Sequence, residues 1–217
     1  TAATKYADSE SSFSLRDLQK AGPDRTLFSW KHHTQLNDRW IGSIDYSAVS
    51  DDYYFEDFGK LSGVDTNHLK REAKLEYQGK NTYFSSAFQA YQTLHPVYLS
   101  AIANQYSRLP EMNLSVNYPN NAFNLDFSLR AQYIQFAYRN TPSQVTPTVT
   151  GGRFNIVPTA SYPMLWQSGY VTTKAKLYTT AYNLQNQTKG YNGTPTRVIP
   201  VFSIDSGLFF DRDIKFA

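Results

Sequence analysis

The chain has 217 residues, of which 41% are hydrophobic, 16% are aromatic and only 18% are charged. The formal net charge of +3 comes from single Lys and Arg residues without a basic run, which argues against a nucleic-acid-binding protein. The absence of cysteine excludes a disulfide framework and thiolate metal sites, and the lack of an apolar run of about 18 residues excludes a helical membrane span.

Polar and apolar residues alternate with a period of two along most of the chain, which is typical of β-strands with two different faces. From Glu111 to Tyr118, for example, Met112 and Leu114 alternate with Asn113 and its polar neighbours. In chain order, the alternation predicts about nine strands: Thr26–Thr34, Trp40–Val49, Leu69–Tyr77, Thr82–Thr93, Glu111–Tyr118, Phe123–Tyr133, Arg153–Tyr162, Gly169–Asn183 and Val198–Phe210.

The connections between these strands alternate between short and long. The short ones are Asn37–Asp38, Gly79–Asn81, Pro119–Asn121 and Pro163–Ser168, and the long ones are Ser50–His68, Leu94–Pro110, Asn140–Gly152 and Gln185–Pro195. In outer-membrane barrels, short turns face the periplasm and long loops face the outside. By this rule, the odd-numbered strands run inward and the even-numbered strands run outward.

A soluble β-sandwich would also alternate polar and apolar residues. Two features favour a membrane barrel instead: several strands reach the 9–11 residues that a tilted strand needs to cross a bilayer, and aromatic residues gather near strand ends. The sequence therefore predicts an all-β fold, a segment of an antiparallel transmembrane β-barrel. Residues 1–24 are expected to form a loop, and residues 25–217 the strands and loops of a partial barrel domain.

An odd number of strands does not close a bacterial single-chain barrel, whose strands are even in number. An open membrane sheet would leave two unpaired edges in lipid, at a cost of several kcal/mol for each orphaned backbone group. We therefore expect these strands to belong to a larger, even-stranded barrel.

Three sequence blocks carry a family resemblance. They are Trp30–Trp40 with the following Ile44–Gly59, then Ser107–Leu114 with its Arg-Leu-Pro-Glu motif, and finally Pro200–Arg212 with its Asp-Ser-Gly-Leu motif. In this order they resemble the family of lipopolysaccharide-assembly outer-membrane proteins, LptD. The resemblance covers most of the chain, and the three blocks are specific only when taken together.

The resemblance implies the middle part of the barrel, with a periplasmic jellyroll domain before Thr1 and further barrel strands after Ala217. Members of the family take lipopolysaccharide (LPS) from a periplasmic bridge and release it into the outer leaflet. The implied partners are an LptE-like lipoprotein plug in the lumen, an LptA-like bridge protein, LPS and outer-membrane lipid. The implied location is the bacterial outer membrane, and neither a cofactor nor an enzymatic activity is expected.

A barrel that holds a plug needs a polar inner wall, and the alternation provides candidates for it. The residues expected to face the lumen and to contact LPS or the plug are Lys31, His33, Arg39, Asp45, Lys70, Lys74, Arg130, Arg153, Lys174, Lys176 and Arg197. The simpler interpretation of any one of them is a solvated wall with cross-strand ion pairs. A porin-type or receptor-type channel for solutes is the alternative function.

Catalytic and metal sites have weaker support. Ser43, Asp45 and Ser47 share a face with a histidine on the paired strand, which is the composition of a barrel hydrolase, but no supporting motif accompanies them. His32 and His33 are adjacent and point to opposite faces of a strand, so they cannot bind one metal ion together. The acidic cluster Asp51, Asp52, Glu56 and Asp57 has no EF-hand spacing, which favours a solvated loop over a weak calcium site.

Overall fold

The structure, a computed structural model, describes residues 24–59, 62–95, 102–121, 123–140 and 148–211. Within these ranges, one short helix and nine strands form. The strands are Leu27–Gln35 (β1), Trp40–Val49 (β2), His68–Gln78 (β3), Thr82–Thr93 (β4), Ser107–Tyr118 (β5), Asp126–Ala137 (β6), Thr150–Trp166 (β7), Gly169–Gln185 (β8) and Thr196–Leu208 (β9), and the helix is Tyr54–Phe58 (α1).

Each strand pairs antiparallel with the next one in the chain, so the sheet order is β1 to β9 without a crossover. Connections of two to seven residues lie at one end of the strands and connections of ten to eighteen residues lie at the other. The predicted all-β antiparallel fold is confirmed, and so is the alternation of short and long connections. Residues 1–23 of the predicted N-terminal loop lie outside the described residues.

The two faces of the sheet differ in chemistry, and we call them the polar face and the apolar face. The apolar face carries Trp30, Ile44, Phe88 and Phe154, and much of it is accessible: Phe88 is 54% exposed and Trp30 is 48% exposed. The described residues bury only one small apolar cluster, at the long-loop end. A soluble sandwich would cover such a face with a second sheet, so this arrangement suits a sheet whose apolar side meets lipid.

Among the described residues, no helix is both long enough and apolar enough to cross a membrane.

Two strand boundaries predicted from the sequence are wrong. β6 begins at Asp126 and not at Phe123, because the Asn121 side chain accepts hydrogen bonds from the backbone N–H groups of Phe123 and Leu125 and holds a turn there. β7 continues through Pro163 to Trp166, so the connection to β8 contains only residues 167–168. β6 begins with Asp126 opposite Ser161, and Pro163 therefore lies beyond β6, where β7 has one neighbour fewer and a missing N–H is tolerated.

Two further boundaries are also displaced. β5 begins at Ser107, within the predicted long connection Leu94–Pro110, because the strand continues past an irregularity between Arg108 and Glu111. β7 begins at Thr150, within the predicted connection Asn140–Gly152. The long connections are therefore shorter than the sequence predicted, and the sheet is correspondingly longer.

Gly151 lies where the backbones of β7 and β8 approach each other closely. Its φ is +134°, and a Cβ placed on it would lie 2.0 Å from the carbonyl oxygen of Asn183. The positive φ alone should make Gly151→Ala lower the free energy of unfolding by roughly 1–3 kcal/mol. We expect a larger loss, because the new methyl group also clashes with the Asn183 carbonyl oxygen, which belongs to the backbone and cannot rotate away. Urea unfolding of the full-length protein in detergent measures the effect.

Gly152→Ala is the matched control for that substitution. The nearest atom to a Cβ there is the flexible side-chain oxygen of Gln135, at 3.1 Å. We expect a change below about 1 kcal/mol, in the range of ordinary substitutions. Equal losses for both variants would show that the close approach of β7 to β8 at Gly151 is not as described.

Candidate functional site

The polar face holds most of the charged residues of the strands. Directly opposite residues of neighbouring strands share a face, and the register sets Lys31 opposite Asp45 and Asp45 opposite Glu72. The predicted lumen-facing residues on this face are Lys31 and His33 in β1, Asp45 in β2, Lys70 and Lys74 in β3, Arg130 in β6, Arg153 in β7, Lys174 and Lys176 in β8, and Arg197 in β9. Arg39 lies in the connection between β1 and β2, where its Nη1 is 3.4 Å from the Tyr77 hydroxyl.

On β2 and β3, the charges of the polar face neutralise one another. Lys70 Nζ lies 3.2 Å from Asp45 Oδ2 and 3.2 Å from Glu72 Oε1. Lys74 Nζ lies 2.8 Å from Glu76 Oε1. These side chains are partly exposed, so each pair contributes little to stability. Their main consequence is that this part of the polar face has almost no net charge to offer a ligand.

On β6 to β9, the polar face carries five cations and two carboxylates, Asp126 and Asp205. Side chains on one face recur at every second residue of a strand. Rows of side chains that run across the strands are therefore about 6.6 Å apart. Five successive rows contain one cation each, in the order Lys174, Lys176, Arg130, Arg197 and Arg153 from the short-turn end to the long-loop end. We call these five residues the cation ladder. Among the residues that the structure describes, no acidic side chain forms an ion pair with any of them.

Two adjoining grooves run along the cation ladder. The first has a volume of about 520 Å³, and Arg130, Lys174 and Lys176 border it together with the hydroxyl groups of Ser128 and Thr159. Its acidic lining residue, Asp126, accepts a hydrogen bond from the backbone N–H of Asn120 at 2.7 Å. The groove therefore combines three cations with one carboxylate and several neutral hydrogen-bonding groups.

The second groove has a volume of about 370 Å³ and is lined by Arg153, Arg197 and Tyr182, among others. Asn155 and Tyr178 line both grooves, so the two lie side by side. Arg153 donates from Nη2 to Gln132 Oε1 at 2.8 Å, but its Nε is shielded from solvent and has no hydrogen-bond acceptor among the described residues. A buried donor without an acceptor is unfavourable.

The residues considered for a hydrolase are engaged elsewhere. His33 lies opposite Ser43 in the register, but Asp45 is bound to Lys70 and Ser47 Oγ lies 3.2 Å from Ser29 Oγ. His32 is on the other face, where its ring stacks on Trp30 with the centroids 6.0 Å apart. The carboxylate is thus not placed to orient the imidazole, as a catalytic triad requires.

The acidic loop is not simply solvated, which corrects the sequence-based expectation. Asp51 is buried, and Arg25 donates to both of its carboxylate oxygens, at 2.6 Å and 2.7 Å. Arg25 also pairs with Asp57 and lies over the ring of Phe58, 4.8 Å from its centroid. We call Arg25, Asp51 and Asp57 the loop clasp, because they join the chain before β1 to the loop after β2.

The charge state of the loop clasp depends on pH. Burial raises the pKa of the Asp51 carboxyl, but hydrogen bonds from Arg25, Ser50 and the backbone N–H of Tyr53 outweigh burial and hold that pKa below its ordinary value. Over the described ranges, no group of three or more His, Asp or Glu side chains is placed to hold a metal ion. Two acidic side chains of this loop, Asp51 and Asp57, thus bind an arginine.

Comparison with known proteins decides the family. The family model described as LPS transport system D matches residues 23–217. The chain belongs to the LptD family. It is 36% identical over 200 residues to the LPS-assembly protein LptD of Coxiella burnetii, which covers 90% of the chain and 23% of that relative. It is 36% identical over 200 residues to LptD of Azoarcus sp. (90% and 24% covered) and 30% identical over 225 residues to LptD of Pseudomonas syringae pv. syringae (90% and 24% covered).

Membership of the LptD family confirms the resemblance carried by the three sequence blocks. Together with the all-β architecture, it supports the predicted location in the bacterial outer membrane. The relatives are named LPS-assembly proteins, which favours LPS transport over the porin alternative. The chain spans about a quarter of the length of the curated relatives it matches.

Sequence reasoning missed the residues that shape the grooves. Ser128, Asn155, Thr159 and Tyr178 line the first groove, and none of them is charged. Strand periodicity already placed Asn155 and Thr159 on the same face as Arg153. The missing information was the register between strands, which decides which cations lie side by side.

Proposed function

We propose that this chain forms part of the wall of an outer-membrane transporter that assembles LPS into the outer leaflet. The observation that carries the proposal is the separation of the two faces of the sheet, in a chain that belongs to the LptD family. LPS has a sugar part and an acyl part, and a strand with one polar face and one apolar face offers each part a suitable surface. No bond in LPS needs to break, so the proposed activity is transport without catalysis.

The proposed architecture is a partial barrel domain over residues 1–217, completed by other segments of a larger protein. Completion is needed because every backbone group in a membrane must be paired within the protein. The polar face lines the lumen and the apolar face meets lipid, as in transmembrane barrels generally. We further propose that an LptE-like lipoprotein fills the lumen and that an LptA-like protein delivers LPS from the periplasm. The polar face supports this proposal because a plug needs hydrogen-bonding groups around it.

Depletion of the full-length protein from cells tests the transport function. We expect newly made LPS to stop appearing at the cell surface and to return when the wild-type gene is expressed again. Copurification of a lipoprotein from detergent-solubilised membranes tests the plug, which a porin-type channel does not need. Unchanged surface LPS after complete depletion would refute the proposed function.

A further inference from the structure

The five rows of the cation ladder are the strongest unexplained feature of the sheet. On the polar face of β2 and β3, the charged residues are paired with opposite charges 2.8–3.2 Å away, whereas the five cations on β6 to β9 form no ion pair among the described residues. Cations that line a groove repel one another, since low-dielectric walls concentrate the field. A bound anion would remove this repulsion.

We propose that the cation ladder is a binding track for an anionic saccharide, one that carries phosphate or carboxylate groups along its sugar chain. This inference rests on the proposed function, since it assigns the head group of LPS to one particular part of the polar face. It predicts that the sugar part lies against β6 to β9 and that the paired charges of β2 and β3 make little contact with it.

The neutral groups between the cations match a saccharide. Ser128, Thr159 and Asn155 can donate to and accept from sugar hydroxyl groups, and Tyr178 and Tyr182 offer aromatic rings. Groove volumes of about 520 Å³ and 370 Å³ suit small units of a chain. A protein segment would rather require a broad surface with an apolar core, and hydroxyl and amide groups occupy much of these grooves.

The spacing of the ladder suits movement. Each row lies about 6.6 Å from the next. An anion bound to the flexible side chain of one row can therefore move to the side chain of the following row. Conduction through a pore needs several comparable sites rather than one tight site, because an anion must be able to leave each of them.

Photocrosslinking in living cells tests the track. The photoreactive amino acid p-benzoylphenylalanine replaces Thr159 on the ladder or Ser43 on β2, each in the full-length protein. We expect LPS adducts from position 159 and at least fivefold fewer from position 43. Lys174→Gln with Lys176→Gln should lower the yield at position 159 at least fivefold, because both cations border that groove.

Three controls keep this result interpretable. Lys174→Arg with Lys176→Arg keeps the charge and should preserve the adduct, and Lys80→Gln changes the charge of a short connection and should leave the yield unchanged. A heat-modifiable barrel band shows that each variant is folded. Unchanged adducts after neutralisation of Lys174 and Lys176 overturn the track.

Other outcomes separate the track from the proposed function. Equal LPS adducts at positions 43 and 159 overturn the track while leaving LPS transport intact. An adduct with an acidic protein at position 159, in place of LPS, also overturns it. Absence of LPS adducts from every polar-face position contradicts the proposed function as well.

A binding measurement distinguishes the two kinds of anionic group. The purified full-length protein in detergent is titrated with the delipidated core oligosaccharide of LPS, before and after removal of its phosphate groups by hydrofluoric acid. Weaker binding after this treatment assigns phosphate as the recognised group, and unchanged binding assigns carboxylate. Binding that does not weaken in the Lys174→Gln, Lys176→Gln variant overturns the track in either case.

Discussion

Arginine in place of Phe88 is expected to lower the free energy of unfolding by about 2–4 kcal/mol, the cost of an arginine at mid-depth on the lipid face of a barrel. Phe88 is near the centre of β4 on the apolar face, opposite Ala73. Its substitution removes an apolar ring from lipid and places a guanidinium there. Urea unfolding of the full-length protein in lipid vesicles, with the heat-modifiable band as a second readout, measures the loss.

Gln89→Arg is the matched control, one residue further along the same strand. Position 89 is on the polar face, opposite Glu72 and Arg108, so the new guanidinium meets one charge of each sign. We expect a change below about 1 kcal/mol. The two faces would be wrongly assigned if Gln89→Arg proved more damaging than Phe88→Arg.

The second large effect is expected at the loop clasp. Arg25→Gln leaves the Asp51 carboxylate without its partner, and the two side chains are only 10% and 0% exposed. Removal of one member of a buried ion pair typically costs about 3–5 kcal/mol, since the remaining charge stays desolvated. We expect the loop after β2 to detach, with much faster amide exchange over α1, as measured by hydrogen-exchange mass spectrometry.

Asp52→Asn is the control for the loop clasp, because Asp52 is its sequence neighbour and makes no described bond with Arg25. We expect normal exchange in that variant. Replacing both members of the pair, by Arg25→Met with Asp51→Leu, should restore part of the protection, because no isolated charge remains. Rapid exchange in the Asp52→Asn variant alone would contradict the clasp.

The clasp also predicts a pH dependence in the wild-type protein. The folded pKa of Asp51 lies below its ordinary value, so its stabilising contribution is complete above the unfolded pKa of about 3.9 and disappears as the pH falls through the folded pKa. The protection factors over α1, which are corrected for the slower intrinsic exchange of amides in acid, should therefore fall in acid in the wild type. In the Arg25→Gln variant, this fall should be absent or much smaller.

The strands and their two faces could be predicted from the sequence because both depend on local information. Period-two alternation shows in each strand separately, and glycine, proline and asparagine mark the short connections. Phe123 misled the prediction because an apolar residue beside a strand looks like part of it, whereas hydrogen bonds to the Asn121 side chain place it in a turn. Pro163 misled it in the opposite sense, because β7 extends beyond the first residue of β6 and tolerates a proline there.

The arrangements between distant parts of the chain could not be predicted. Arg25 is 26 residues from Asp51, and no local pattern joins them. The cation ladder depends on the registers of three strand pairs, and a slip of one residue in any of them would move a cation to the other face. The sequence therefore identified the members of the ladder without indicating that they form successive rows.

The opposite environments of the two faces are the central claim, and spin labels on β7 test them most directly. A noncanonical amino acid that carries a nitroxide is introduced at one position at a time from Asn155 to Ala160. In the full-length protein in lipid vesicles, collision with oxygen reports lipid contact. We predict oxygen accessibility that alternates with a period of two, high at positions 156, 158 and 160 and low at 155, 157 and 159. Uniform accessibility, or alternation of the opposite phase, would contradict the assignment of the apolar face to lipid and of the cation ladder to the lumen.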